Sequence, residues 1–351
     1  MTLSVSGDSI TFPDLSTLQT APSGFGFKNR IINGDMRIDQ RNAGASVTVG
    51  ASDNYITDRW MLQSSQASKF SAQQSAGAVT PPAGFVNYLG ATSLAATSVG
   101  AGDYFSIQQR IEGLNCSDLA WGSANAQSVT LSFWVRSSRT GAFGGSLRNN
   151  VGNRSYPFSY SISEANTWEY KTINIAGDTG GTWLTTNGIG ITVTLGLGVG
   201  STYSGTTGSW SSNNYVSATG ATSVVGTSGA TFYITGVQLE KGSTATAFDY
   251  RDYGRELIMC QRYYEIMGDG NTQFAGITTS SIASFGYGWP TVSSQIVFAV
   301  QKRVAPTFVI ITSLGSGSYS FTSAIDRATV AATETTPGYR YLLKASVSAE
   351  L

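Results

Sequence analysis

Apolar and polar positions alternate most clearly between Thr231 and Lys241. Phe232 and Ile234 share one face and Tyr233 and Thr235 the other, the period of a strand. Gly236 breaks the phase, because Val237 and Leu239 carry the apolar side onward at odd positions. A bulge at Gly236 adds one residue and returns both side chains to the core face. The strand is expected to close at the polar turn Glu240-Lys241-Gly242. Beyond the link from Gly242 to Phe248, Asp252 is placed to cap a helix, its charge at the positive end of the dipole. Leu257, Cys260, Tyr264 and Met267 then recur at spacings of three, four and three, one stripe of a helical joint over residues 253–267.

Other strands read the same way. Val129, Leu131, Phe133 and Val135 point inward, which leaves Trp134 facing out, to be covered by a neighbour or to bind something. Trp168–Ile175 and Gly190–Leu195 are further strands, and Ser294–Val300, Thr307–Ile311 and Tyr339–Leu343 follow the joint. Short strands divided by Gly, Asn and Ser turns, without a repeat of constant period, suggest a sandwich or barrel. The stretch Val199–Gly229 is a long polar segment, of a length that is usually functional or mobile. Residues 1–28 hold too few apolar groups for a core and are expected to lie against something else.

Composition narrows the function. The chain has 351 residues, 12% of them charged, 41 glycines and a formal net charge of zero. That fits an all-β protein with many turns and argues against nucleic acid as a partner. No run is long enough to cross a bilayer and the start, Met1-Thr2-Leu3-Ser4, lacks a signal peptide, so synthesis in a cytosol without secretory export and no membrane partner are expected. The two cysteines, Cys116 and Cys260, read as small buried apolar residues. With zero histidines, Ser-His-Asp and Cys-His nucleophiles and histidine zinc sites are excluded.

Four motifs carry a resemblance. They are Asn29-Arg30-Ile31-Ile32-Asn33-Gly34-Asp35 with Gln40-Arg41, Thr57-Asp58-Arg59-Trp60, Gly236-Val237-Gln238-Leu239-Glu240-Lys241-Gly242, and Cys260-Gln261-Arg262-Tyr263-Tyr264. On residues alone, Asp58-Arg59 ahead of Trp60 most simply pins a sheet edge. In this order the four resemble a family of bacteriophage tail-fibre and virion-appendage proteins. Residues 10–21, ITFPDLSTLQTA, resemble a short β-element of phage fibres, with Leu15-Ser16 where Gly-Thr is usual. The resemblance implies a jelly-roll β-sandwich like carbohydrate-binding modules. It also implies a virion location, a homotrimer, other virion proteins as partners through the N-terminal segment, and host surface polysaccharide as ligand.

The expected organisation is all-β: an attachment or oligomerisation segment at 1–28, a jelly-roll sandwich at 29–252, the helical joint at 253–267 and a small β-domain at 268–351. The expected function is a tail fibre that binds host glycan, with a head fibre or capsid decoration protein, or a polysaccharide depolymerase, as alternatives. No cofactor and no catalytic residue is expected. Asp58, Glu112, Glu164, Glu240 and Asp249 could supply the paired carboxylates of a glycosidase but sit in no distinguishing motif. Leu195-Gly-Leu-Gly-Val-Gly200 lacks the lysine of a phosphate loop, and its glycines more simply permit a bend. Sandwich modules of the kind resembled often hold a structural calcium on carboxylates near the first and last strands; Asp35 is available at the first, but Thr235 stands where the other would often occur, and no metal ligand is assigned. The candidate ligand-binding residues are Tyr203, Trp210, Asn213 and Tyr215, rigid aromatics and amides in the long loop suited to sugar rings and their hydroxyls. The plainer reading is that these aromatics staple the loop to its own domain or to a neighbouring subunit. Tyr287 and Trp289 form a second candidate.

Overall fold

A computed structural model describes residues 28–268 and 292–351 apart from 315–317 and 334–338, together with backbone strands at 4–6, 9–11, 17–18 and 275–278. Twelve strands build the sandwich: β1 Val47–Thr48, β2 Asp53–Tyr55, β3 Met61–Ser64, β4 Phe70–Gln74, β5 Leu89–Ser93, β6 Tyr104–Glu112, β7 Val129–Ser137, β8 Gly141–Arg148, β9 Ser155–Ile162, β10 Glu169–Ile175, β11 Ile189–Val199 and β12 Thr231–Lys241. The front sheet runs β10-β7-β12-β5-β4-β1 and the back sheet β9-β8-β11-β6-β3-β2, every pairing antiparallel. The fold is the all-β sandwich expected from the alternation.

The core lies between the sheets. Val129, Leu131, Phe133 and Val135 of β7 enter it from the front, and Phe105 and Ile107 of β6 from the back, all without solvent exposure. At the centre of the front sheet the register of β7 on β12 slips between Ser132–Gln238 and Trp134–Thr235, one extra residue on β12. This is the bulge expected at Gly236. Its φ is +61°, and a Cβ there would stand 2.6 Å from the Phe85 ring, so only glycine fits. Phe232, Ile234, Val237 and Leu239 all reach the core.

The four motifs are linked in a chain of contacts that starts at this bulge. Val237 N–H donates to Gly34 O (2.9 Å) and Arg30 N–H to Leu239 O (2.9 Å). The Asn29 amide donates to Val237 O (3.0 Å) and accepts from Leu239 N–H (3.1 Å). Asn33 donates to the carbonyls of Ile38 (2.8 Å) and Asp58 (2.9 Å). Arg59 lies in a tight turn, with Trp60 N–H bonded to Thr57 O (3.1 Å), and is 1% exposed. It does not pin a sheet edge. Its guanidinium instead pairs with Glu350 and stacks 3.5 Å over Tyr263. Tyr263 O–H in turn donates to Glu112 (2.7 Å), which also pairs with Arg262 (2.6 Å).

Helix α1 spans Tyr253–Gln261, capped by Asp252, whose carboxylate accepts from Arg255 N–H at 2.8 Å. The expected stripe is corrected here: the helix ends at Gln261, and Tyr264–Met267 is a strand paired with Tyr339–Ser348. Leu257 and Cys260 do pack together, but against Ile32, Ile38 and Tyr263. Strand Tyr339–Ser348 also pairs with Ala275–Thr278 and Thr307–Leu314, and a second sheet joins Val292–Val297, Arg327–Thr333 and Ser318–Ser323. The expected strands at 294, 307 and 339 are therefore present, with longer or shifted bounds. The N-terminal strands Ser4–Ser6, Ser9–Thr11 and Thr17–Leu18 form an antiparallel sheet of their own. Among the described residues no helix is long and apolar enough to cross a membrane.

Candidate functional site

Strand alternation places even-numbered residues of β7 and β10 on the outer face of the front sheet. Trp134 and Tyr170 sit there as neighbours, ring centroids 5.3 Å apart. The segment 242–250 crosses the same face as a strap. Glu240 fixes it by accepting from Thr246 N–H (2.9 Å) and Thr246 O–H (2.6 Å), and Gln238 accepts from Asp249 N–H (2.9 Å). Between strap and sheet lies a cleft of about 500 Å³ lined by Phe85, Trp134, Tyr170, Phe248 and Tyr250, with Ser132 and Thr246 as hydroxyls. Phe85 packs on Phe248 and Tyr250 at 5.2 and 5.6 Å, and Tyr250 O–H donates to Gly84 O (3.0 Å). Tyr170 is 44% and Tyr250 55% exposed. Among the described residues no charged side chain lines this cleft. Trp134 is partly exposed, packed on Tyr170 and lining the cleft.

The long loop is not a free recognition loop along its whole length. It folds into a turn at Ser201–Tyr203 and a short parallel pair, Ser204–Gly205 with Ser217–Ala218, and it sends Val224 and Val225 into the core. Trp210 is a staple: its ring meets Trp121, Tyr156 and Trp183 edge-on at 5.2, 5.2 and 5.4 Å, and its N–H donates to Ala176 O (2.8 Å). Tyr203 stands edge-on to Tyr104 at 5.4 Å. Tyr215 packs over Gly205, and the Asn213 amide donates to its hydroxyl (3.0 Å). Tyr203, Asn213 and Tyr215 stay close to one another beside Tyr104 and Gly205, and Trp210 packs into an aromatic cluster. Tyr287 and Trp289 lie outside the described residues.

No protein-family model matches the chain, and no curated protein matches it in sequence. Solved structures similar in shape include the enzymatically active domain of tailspike protein 4 of bacteriophage CBA120, at 12% identity and a TM-score of 0.30, over 52% of this chain. The match takes up 19% of that tailspike chain. A family 11 carbohydrate-binding module from Clostridium thermocellum is similar at 14% identity and 0.28, over 57% of this chain and 98% of its own. The module TmCBM61, solved with β-1,4-galactotriose, gives 12% and 0.28, over 52% and 88%. Likenesses of this size carry no argument about what the chain does, and the sandwich stands on its own strand order.

The candidate carboxylates are dispersed among separate networks. Asp58 accepts from Gln40 N–H and the Gln40 amide, both at 2.7 Å. Burial pushes its pKa up to about 6. Glu112 is held below the usual range, its burial outweighed by hydrogen bonds from Arg262 and Tyr263. Glu240 holds the strap, Asp249 faces Arg251 at 3.6 Å, and Glu164 is exposed. Asp35 pairs with Arg37 (3.0 Å), and Thr235 O–H donates to Asn87 O (2.7 Å). Among the described residues no three acidic or cysteine side chains cluster as metal ligands. Residues 195–199 of the glycine-rich run lie within β11. The alternation along β7 points to Trp134 but not to the rest of the cleft. Phe85, Tyr170 and Tyr250 are up to 165 residues apart in the chain (250 − 85), and only the strap brings them together.

Proposed function

We propose that the chain is a non-enzymatic glycan-binding component of a tailed-phage appendage, and that the aromatic cleft holds the sugar. The cleft carries this reading. Sugar rings present apolar C–H faces that stack on aromatic side chains, and hydroxyls placed between the rings orient them. An uncharged lining suits neutral saccharides. The virion assignment draws on the four-motif resemblance, which also supports a homotrimer docked through residues 1–28. Repetition of a weak site on several copies supplies avidity.

A glycan array with the purified protein, followed by calorimetry on the hits, tests the reading. Trp134→Ala should weaken binding about tenfold or more while the thermal midpoint stays close to wild type. An array without hits, or release of reducing ends from a bound polysaccharide, overturns it.

A further inference from the structure

The two walls of the aromatic cleft differ in what they can bond. The sheet wall comes from β7 and β10 and brings Ser132, Trp134 and Tyr170. Each of these side chains carries a polar atom, a hydroxyl or the indole N–H. The cleft is reached from solvent, since Tyr170 and Tyr250, which both line it, are 44% and 55% exposed. Gly236 lies between the walls: a Cβ there would stand 2.6 Å from the Phe85 ring and 3.2 Å from the Trp134 ring.

The other wall is apolar. It comes from the strap and the loop before β5, and Phe85, Ala245, Ala247 and Phe248 carry no polar side-chain atom. Its polar groups are already bonded within the protein. Thr246 O–H donates to Glu240 (2.6 Å), as does Thr246 N–H (2.9 Å), and Tyr250 O–H donates to Gly84 O (3.0 Å). The Gln238 amide donates to Thr246 O (3.3 Å) and Ala247 O (3.4 Å), and Lys28 donates to Ala247 O as well. A sugar hydroxyl turned to this wall would give up water for groups bonded elsewhere. A methyl group in the same place buries apolar surface and gives up no hydrogen bond.

We propose that the cleft selects neutral sugars that carry a methyl group. The ring rests on Trp134, its hydroxyls toward Ser132 and Tyr170, and its methyl against Phe85, Phe248 and the strap. That methyl is C6 of a 6-deoxyhexose or the end of an acetyl substituent. The proposal rests on the cleft being the saccharide site and adds which class of sugar it takes.

The test titrates the full chain with three matched pairs: L-rhamnose and L-mannose, L-fucose and L-galactose, chitotetraose and cellotetraose. Wild type should bind the methyl-bearing member about tenfold more tightly in at least one pair, and the pair that responds tells a deoxy sugar from an acetylated one. Phe248→Ala should bring that ratio to about one. Wild type alone gives a second measurement: nuclear Overhauser effects from the bound sugar's methyl should reach the ring protons of Phe85 and Phe248. Equal or tighter binding of the hydroxyl-bearing member in every pair overturns the inference and leaves the cleft a glycan site. So does a preference that survives Phe248→Ala, or a methyl whose Overhauser effects miss both rings. If none of the six sugars binds, the inference falls, and the reading beneath it falls only when the glycan array is blank too.

Discussion

Asp58 shows how a single side chain can make this fold sensitive to pH. It is fully buried between Gln40 and the start of the C-terminal strands, and its acid pKa rises to about 6. Burial raises it, and the Gln40 hydrogen bonds and Arg41 only partly offset that. The folded state therefore holds the proton more tightly than the unfolded chain does. Stability from this group is full below about pH 4, the unfolded value, and is lost as pH rises through 6. The shift corresponds to about 3 kcal/mol. Urea unfolding of wild type and Asp58→Asn from pH 4 to 7 should give a difference that grows in favour of the variant by about that amount. A difference that stays flat with pH removes Asp58 as its source. At the same scale the bulge at Gly236 is legible in the residues alone, because the alternation changes phase there and a glycine marks the place. The role of Arg59 is not, since its partner Glu350 is 291 residues away and no local pattern announces it.

At the scale of elements, the loop and the strap divide tasks that look alike in sequence. Both carry aromatics among Ser, Thr, Gly and Ala. Trp210 is tied down, with three ring contacts and a satisfied N–H, whereas Trp134 has one ring contact and faces the cleft. Trp210→Ala should therefore cost about 3 kcal/mol of stability, read as a lower thermal midpoint, and leave glycan affinity unchanged. Loss of affinity without loss of stability would return Trp210 to the binding surface. Strand β11 is buried on both faces, but β10 is readable because its exposure alternates with period two, and β7 and β12 because their large apolar side chains alternate along the chain. The cleft is not, because it needs β7, β10 and the strap in one place. Helix α1 is readable only to Gln261. Tyr264 keeps the helical spacing, but pairing of Glu265 with Val347 and Met267 with Ala345 makes it a strand, and tertiary pairing outweighs a short local stripe.

Across the whole molecule, residues 350 and 351 close on the sandwich. Glu350 reaches back to Arg41 (2.7 Å) and to the buried Arg59. Arg41 lies 3.6 Å over Tyr264 and 4.7 Å over Tyr55, and Arg110 donates to Leu351 O (2.5 Å). Arg303 donates to the carbonyls of Asn187 (2.9 Å) and Ala349 (3.0 Å). The sandwich thus depends on Glu350, two residues past the last strand, for the counter-ion of a guanidinium it cannot expose. Removing one partner of such a pair strands a buried charge, at about 3–5 kcal/mol. Glu350→Gln should cost stability in that range and should destabilise the sandwich and the C-terminal unit together, since the pair spans both. Calorimetry on wild type should show one cooperative transition, lowered as a whole in the variant. If the variant instead splits the trace into an early C-terminal transition and an unshifted sandwich transition, Arg59 has found another partner and the two units fold independently.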